Sequence, residues 1–390
     1  MRIETLSIRG YRALRDVTMK DLTPLTVLCG ANGSGKSTFI DVFAFLHETF
    51  TVGLRQAWDK RNRMEGIRSR GYAGNVAFEL KYRAPDESGK ERLVTYALEI
   101  GETRYLPVVV SERLTWSVSP GSGRPTQILA FAQGHGHVFD ESTDSEATES
   151  LASSDLLAVS ALGQMQRHPR VKALRDFITG WYLSYLNADA TRATTVAGPE
   201  TRLSQSGDNL ANVIQYYQET HPDVLEEIFT DLSQQVPRLE NVLPMTMPDG
   251  RLLLRLKDRP FDEPILSRFT SDGTLRLLAY LTILHDPDPP AVIGIEEPEN
   301  QLHPKVVPLL ADNIRQMSGR SQVLVTTHSP EFLTDLRPKE LWSIHRREDG
   351  FADVGRISDN ERVLNMLKAG ASLPELWGEG YLVGADPHGL

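Results

Sequence analysis

Apolar residues change their spacing along this chain in a way that marks out the elements. Residues 2–9 and 24–29 read as two short strands, the second ending in the apolar run Leu25-Thr26-Val27-Leu28-Cys29. Phe39, Val42, Phe43, Leu46 and Phe50 then recur at helical spacing, which predicts a helix over 38–50. Period-two alternation follows at Val76, Phe78, Leu80 and Tyr82, at Val94, Tyr96, Leu98 and Ile100, and at Leu114, Trp116 and Val118. With turn residues between these runs, the pattern predicts an antiparallel meander with one buried face. Residues 133–155 are rich in Gly and His, then in Ser, Thr, Asp and Glu, and read as an exposed loop. From about 155 to 235 the spacing is helical again, through Val171, Leu174, Phe177 and Ile178 and through Leu210, Val213, Ile214 and Tyr217. Residues 251–256 and 264–269 return to short strand-like or irregular structure. The last third alternates an apolar helix (Leu275, Leu278, Ala279, Ile283), a strand at 291–295, a helix, a strand at 323–325 and strand candidates at 341–346 and 351–357. That alternation predicts a mainly parallel sheet covered by helices.

The 390 residues suffice for one large α/β domain or two ordinary ones. A net charge of −10 argues against a polybasic nucleic-acid coat but leaves room for a local patch. The densest basic cluster is Lys60-Arg61-Asn62-Arg63 with Arg68 and Arg70, either a solvated loop or a contact for nucleic-acid phosphates. The single cysteine, Cys29, excludes an intrachain disulfide and fits a reducing compartment. No signal-peptide core and no 18-residue apolar run are present, so the expectation is a cytoplasmic chain without a membrane partner.

Candidate chemistry sits where apolar strands end. Gly30-Ala31-Asn32-Gly33-Ser34-Gly35-Lys36-Ser37-Thr38 fits G-x-x-x-x-G-K-[ST] between a strand and a helix. Glycines there let backbone N–H groups turn inward around phosphate oxygens, and the helix N-terminus adds its donors and dipole. Lys36 would reach the β- and γ-phosphates and Ser37 would ligate Mg²⁺. The strand at 291–295 ends in Glu296-Glu297, a pair suited to holding Mg²⁺ and activating water. The strand at 323–325 leads to Thr327-His328-Ser329-Pro330. Carboxyl ends of strands are where ligands bind in open α/β sheets, so these three tips are expected to surround one triphosphate. Ser271-Asp272-Gly273-Thr274 reads as a helix N-cap. His135 and His137 are a weak metal-loop signal.

In order along nearly the whole chain, these motifs resemble those of ABC-type ATPase heads, most of all the RecF/SMC-related AAA family ATPases that include the OLD family. Gly30–Thr38 resembles the Walker A loop and Ser271–Thr274 the ABC signature. Val292–Glu297 resembles Walker B with its catalytic glutamate, Pro298–His303 the D-loop in its E-P-E-x-x-L-H-P form, and Thr327–Pro330 the H-loop. The opening Ile3–Leu28, with its Gly-Tyr-Arg turn, is also similar to the start of such heads. The resemblance implies a P-loop NTPase head: a mixed, mainly parallel sheet with an antiparallel β subdomain and a helical lobe. It implies one head over 1–390, with lobe I at about 1–150 plus 285–390 and lobe II at about 155–284. It further implies ATP and Mg²⁺ as ligands, with Lys36 on phosphate, Ser37 and Glu296 on the metal, Glu297 as general base and His328 as the γ-phosphate switch.

Ser271 and Gly273 would contact the nucleotide of a second copy, giving an ATP-dependent homodimer. DNA, or a separate nuclease or effector protein, is the further partner this implies, in repair or anti-phage defence. Position 296 is Glu where Asp is usual, so the division of labour between Glu296 and Glu297 stays open. Asp272 stands where the signature often has Gly, so its carboxylate is expected to point away from phosphate. Gln127 and Gln164 are both candidates for the Q-loop. The competing reading is an ATP-sensing scaffold with little turnover. A transporter subunit is disfavoured because no Leu-Ser-Gly-Gly-Gln is present.

Overall fold

The computed structural model describes residues 1–86, 88–117 and 125–384. Val118, read as the end of the third alternating run, lies outside the described residues. The chain divides into two compact units, one of Met1–Trp181, Arg337–Ala371 and Leu376–Leu390, the other of Tyr182–Leu336 and Ser372–Glu375.

The first unit is built on an eight-stranded antiparallel sheet. Its spatial order is Leu14–Met19, Arg2–Tyr11, Val76–Pro85, Glu91–Thr103, Leu106–Trp116, Thr126–Ala132, His135–Asp140 and Ser145–Ser150. The expected meander is therefore present, and Val76–Pro85 buries every second side chain as its alternation requires. Helix Lys36–Thr51 lies against the buried face. Phe45 meets Tyr11 and Phe78 with ring centroids 5.7 and 5.8 Å apart, and Phe50 meets Tyr96 at 5.7 Å. Strand Leu25–Cys29, wholly buried, pairs in parallel with Leu341–Arg346, which pairs antiparallel with Ala352–Arg356.

Several segments depart from expectation, among them Tyr182–Ser184, a strand of the second unit inside the stretch read as helical. Residues 133–155 are not simply an exposed loop, because His135–Asp140 and Ser145–Ser150 form a hairpin on the sheet's edge. The turn leading into it places Gln133 and Gly134 at φ +51° and +86°, the left-handed pair that a tight hairpin needs. The polar composition reflects an edge with an exposed face. Strand Leu14–Met19 lacks clean alternation in sequence; the Tyr11–Leu14 register with Arg2–Tyr11 recruits it.

In the second unit, Tyr182–Ser184, Val292–Glu296 and Gln322–Thr327 form a parallel sheet in that order. Helices Asp272–Leu284 and Val307–Met317 connect and flank it. A small antiparallel sheet centres on Arg251–Asp258, paired with Leu239–Thr246, Thr195–Val196 and Ile265–Leu266. Helices Leu210–Thr220 and Pro222–Gln235 pack here. Among the described residues, no helix is long and apolar enough to cross a membrane.

One buried acid in the first unit has a solution consequence. Glu112 is fully buried and accepts from Tyr96 Oη at 3.0 Å and Val159 N at 3.2 Å, and burial pushes its carboxyl up to about 7. Its ordinary value is 4.5, so the native state holds the proton more tightly than the unfolded chain. The resulting stability is complete below pH 4.5 and is lost as pH rises through about 7, a swing of about 3 kcal/mol. Chemical denaturation from pH 4.5 to 8 should show this fall in the parent and not in Glu112→Gln.

Candidate active site

In the first unit the glycine loop joins Leu25–Cys29 to Lys36–Thr51. Gly33 and Gly35 adopt φ +79° and +118°, and a Cβ on Gly30 would lie 2.4 Å from the Ile344 carbonyl oxygen. No side chain other than hydrogen fits that approach. Lys36 is buried and its Nζ donates to Gly30 O at 2.9 Å and Ala31 O at 3.2 Å, arching the ammonium over the loop. Ser34 Oγ is buried inside the loop without a hydrogen-bond partner. A glycine cradle holding a cation and an orphaned hydroxyl fits an anionic phosphate. Ser37 is exposed and Thr38 half-buried at the helix start, where Mg²⁺ and phosphate would be met.

A contact that sequence reasoning missed closes the loop's other end. Ala31 N donates to Gly384 O at 2.9 Å. Gly384 has φ +88°, and a Cβ there would sit 2.6 Å from Ile344 O. The tail reaching this point is held by buried Leu376, Trp377 and Leu382. The only hint in the sequence is a run of glycines at Gly378, Gly380 and Gly384.

Asp41, one turn into the helix, is the hub of this unit's polar contacts. It accepts from Tyr11 Oη at 2.5 Å and pairs with Arg12 at 2.6 Å and Arg61 at 2.8 Å. Burial and the Asp41 charge push the Tyr11 hydroxyl well up. The nucleic-acid reading of the basic cluster is thereby corrected at Arg61. Its guanidinium is buried over the Phe45 ring and bonded to Asp41, Glu48 and Ala57 O. Lys60 pairs with Glu48 and Arg63 with Asp59, while Arg68 and Arg70 are exposed. Asp41 and Glu48 of helix Lys36–Thr51 thus absorb Arg61 and Lys60.

Gln164 donates to Ser160 O in its own turn, and Gln127 lies exposed on a strand. His135 and His137 approach the Ser150 and Thr148 hydroxyls.

The second unit brings together the acidic strand end and the histidine. Glu296 and Thr326 are register partners on adjacent parallel strands, and Glu297 N donates to Thr326 O at 2.9 Å. Glu297 is turned out at φ +42°, a left-handed conformation uncommon for this residue type. His328 Nδ1 stands 3.4 Å from Glu297 Oε1 and 3.2 Å from Glu299 Oε1. Glu299 is buried and accepts from Thr327 Oγ1 at 2.7 Å and His328 N at 2.8 Å. It therefore ties the two strand ends together, a role the sequence did not single out. Asn300 Nδ2 donates to Glu297 Oε2 at 3.1 Å. Glu296 and Glu297 open into a cleft of about 530 Å³ that Asp272, Arg276, Asn300 and Gln301 also line.

Ser271 caps helix Asp272–Leu284, its Oγ accepting from Thr274 N at 3.3 Å and lying 2.7 Å from Thr274 Oγ1. A Cβ on Gly273 would sit 2.8 Å from Gln301 O, so the Ser271-Asp272-Gly273 loop packs on the turn that follows Glu297. Asp272 pairs with Arg192, which also donates to Thr270 O at 2.6 Å.

A family model described as "AAA domain, putative AbiEii toxin, Type IV TA system" matches residues 138–334. The chain belongs to this AAA family. A second model, "AAA ATPase domain", matches residues 1–83, which include the glycine loop. Two solved structures of SMC heads are similar in fold. One is the SmcHead bound to the C-winged helix domain of ScpA, at 16% identity and TM-score 0.54, covering 91% of this chain and 98% of that one. The other is the Smc head domain with an extended coiled coil bound to the C-terminal domain of ScpA, derived from Pyrococcus furiosus. It has 13% identity and TM-score 0.51, covering 94% of this chain and 99% of that one. No curated protein matches the chain in sequence. The chain is thus an AAA family ATPase head by family model, with the P-loop fold of SMC heads.

The tail contact yields a measurable expectation. Gly384→Val adds a side chain where both φ and the Ile344 carbonyl oppose one, which should free Ala31 N and loosen the loop. Nucleotide affinity, read by titration with a fluorescent ATP analogue, should fall about tenfold. Unchanged affinity would show that the tail does not shape the loop.

Proposed function

We propose that this AAA family head binds Mg²⁺-ATP, hydrolyses it, and closes on a second copy of itself when ATP is bound. The observation that carries the proposal is the Glu297–His328 pair. A carboxylate in left-handed backbone at a strand end faces an imidazole at 3.4 Å, with a third acid, Glu299, holding that imidazole's backbone. Such a carboxylate can take the proton of an attacking water, and the imidazole can meet the γ-phosphate. In this reading Lys36 and the loop from Gly30 to Thr38 hold the phosphates, and Ser37 and Glu296 hold Mg²⁺. Ser271 and Gly273 of one copy meet the γ-phosphate bound by the other. Bound Mg²⁺ would supply charge neutralisation on the phosphates; the chain's own residues bind, orient the water and carry its proton away. One head over 1–390, with an inserted lobe at about 155–284, is the arrangement we propose.

Turnover would be coupled to DNA transactions or to a separate nuclease or effector, in repair or defence. Exposed Arg68 and Arg70 are the remaining cations of the basic cluster for a DNA contact. The two SMC head structures each carry a ScpA domain, which supports a protein partner as part of the proposal. Buried Cys29, its thiol pushed up to about 12 by burial, needs no oxidising compartment, and we place the chain in the cytoplasm.

Lys36→Ala should abolish ATP hydrolysis by the purified protein. Glu297→Gln should slow it by about a hundredfold or more while ATP binding persists, the magnitude of losing a general base. Light scattering of Glu297→Gln should show monomer without nucleotide and dimer with Mg²⁺-ATP. Hydrolysis unaffected by Glu297→Gln, with the partner still engaged, would instead identify an ATP-sensing scaffold. Full hydrolysis by Lys36→Ala would remove the glycine loop from the site.

A further inference from the structure

Asp272 poses an electrostatic problem. It occupies the first position of helix Asp272–Leu284, between Ser271 and Gly273, at a helix end whose N–H groups would otherwise favour an anion. A carboxylate there favours the isolated helix but opposes a phosphate arriving at the same end. The structure answers with Arg192, a residue far away in sequence, placed directly after the short helix Ala188–Thr191. Asn187 caps that helix by accepting from Asp189 N, which fixes where Arg192 leaves it.

The Arg192 guanidinium grips both sides of Ser271. Its Nη2 donates to Thr270 O at 2.6 Å and ion-pairs with the Asp272 carboxylate. The Arg192 side chain is 20% exposed against 44% for Asp272, so the cation is the more deeply set partner. The other nearby cation, Arg276, faces elsewhere, with Nη1 3.4 Å from Gln301 Oε1 and Nη2 3.4 Å from Tyr280 Oη. On the opposite flank the loop is stopped by Gln301 O beneath Gly273. The loop therefore meets an arginine at Thr270 and Asp272 and a backbone carbonyl at Gly273.

We propose that Arg192 is a positioning residue for the Ser271–Gly273 loop: held at Thr270 O, it is aimed at the Asp272 carboxylate and neutralises it, so that the loop can receive the terminal phosphate of a nucleotide held by a second copy. This rests on the reading that Ser271 and Gly273 act on the other copy's ATP. Without Arg192, Asp272 stands uncompensated before a polyanion. The penalty is then electrostatic, and removing the acid should relieve it. A merely structural role for Arg192 makes the opposite forecast, because deleting a second side chain from a loosened loop does not restore it.

The experiment measures kcat and KM for ATP, and ATP-driven dimerisation in the Glu297→Gln background, for Arg192→Ala, Asp272→Asn, the double variant and Ser271→Ala. Thermal melts accompany each. Arg192→Ala should lower kcat by about ten- to a hundredfold and weaken the dimer, with its melt close to the parent's. Asp272→Asn alone gives the cost of removing the acid from the parent. The double variant should return to within about threefold of it, a coupling that reports the charge. An Arg192→Ala protein as active as the parent, or a double variant as slow as Arg192→Ala, overturns the proposal. Should Arg192→Ala fail to fold, Arg192→Gln serves in its place. It keeps an amide donor but removes the charge, and the same suppression by Asp272→Asn is required. Loss of turnover in Ser271→Ala with none in Arg192→Ala defeats this inference alone. Full turnover in Ser271→Ala defeats the reading beneath it.

Discussion

The Glu299 carboxylate is the contact on which the acidic strand end of the second unit depends. It is buried, and one of its oxygens takes the Thr327 hydroxyl and the His328 amide. A buried carboxylate is costly unless it is bonded in this way, and hydrogen bonds to a charged acceptor are the stronger kind. By accepting from the far strand, Glu299 sets the turn after Glu296 against the turn after Thr327. That leaves Glu297 in its left-handed conformation, facing the imidazole. Its second oxygen, Oε2, is buried without a partner, so an acid is kept here despite incomplete satisfaction. Backbone strain and an unsatisfied acid side by side support the catalytic role proposed for this strand end.

The unit that carries the glycine loop is organised on the same principle with a different acid. Asp41 gathers Tyr11, Arg12 and Arg61 onto the helix that begins at Lys36. The Gly-Tyr-Arg turn is thus fastened to the helix that begins with Lys36 of the glycine loop. Removal of one partner from such a cluster leaves charge stranded, at a cost of about 3 kcal/mol or more. Arg61 is therefore a structural residue, and its presence in the densest basic stretch of the chain says nothing about nucleic acid. The arginine that shapes the signature loop, Arg192, belongs to no such stretch. Charge density along a sequence and charge exposed on a surface are different quantities, because a carboxylate distant in sequence can cancel either.

Much of the fold and the site was legible from residues alone, for a physical reason. A phosphate-binding loop is made of neighbouring backbone N–H groups, so its chemistry is contiguous and its glycines sit at set intervals. The buried strands before Gly30, Glu296 and Thr327 are short apolar runs, and period-two alternation announced the meander. Where alternation was poor, as at Leu14–Met19, pairing with a strong neighbour decided the conformation. Where polar composition suggested a loop, as at 133–155, edge position allowed a strand with one exposed face.

By itself the sequence determined the order of motifs, the chemistry of the loop from Gly30 to Thr38, and the acids and histidine at strand ends. These are properties of adjacent residues, set by backbone conformation and side-chain type. Tertiary structure alone decided that Arg192 neutralises Asp272, that Asp41 and Glu48 absorb Arg61, that Glu299 holds His328, and that Gly384 meets Ala31. Each of those joins groups from distant parts of the chain through a bond only about 3 Å long. No local pattern encodes such a meeting, because it exists only once the intervening elements have packed.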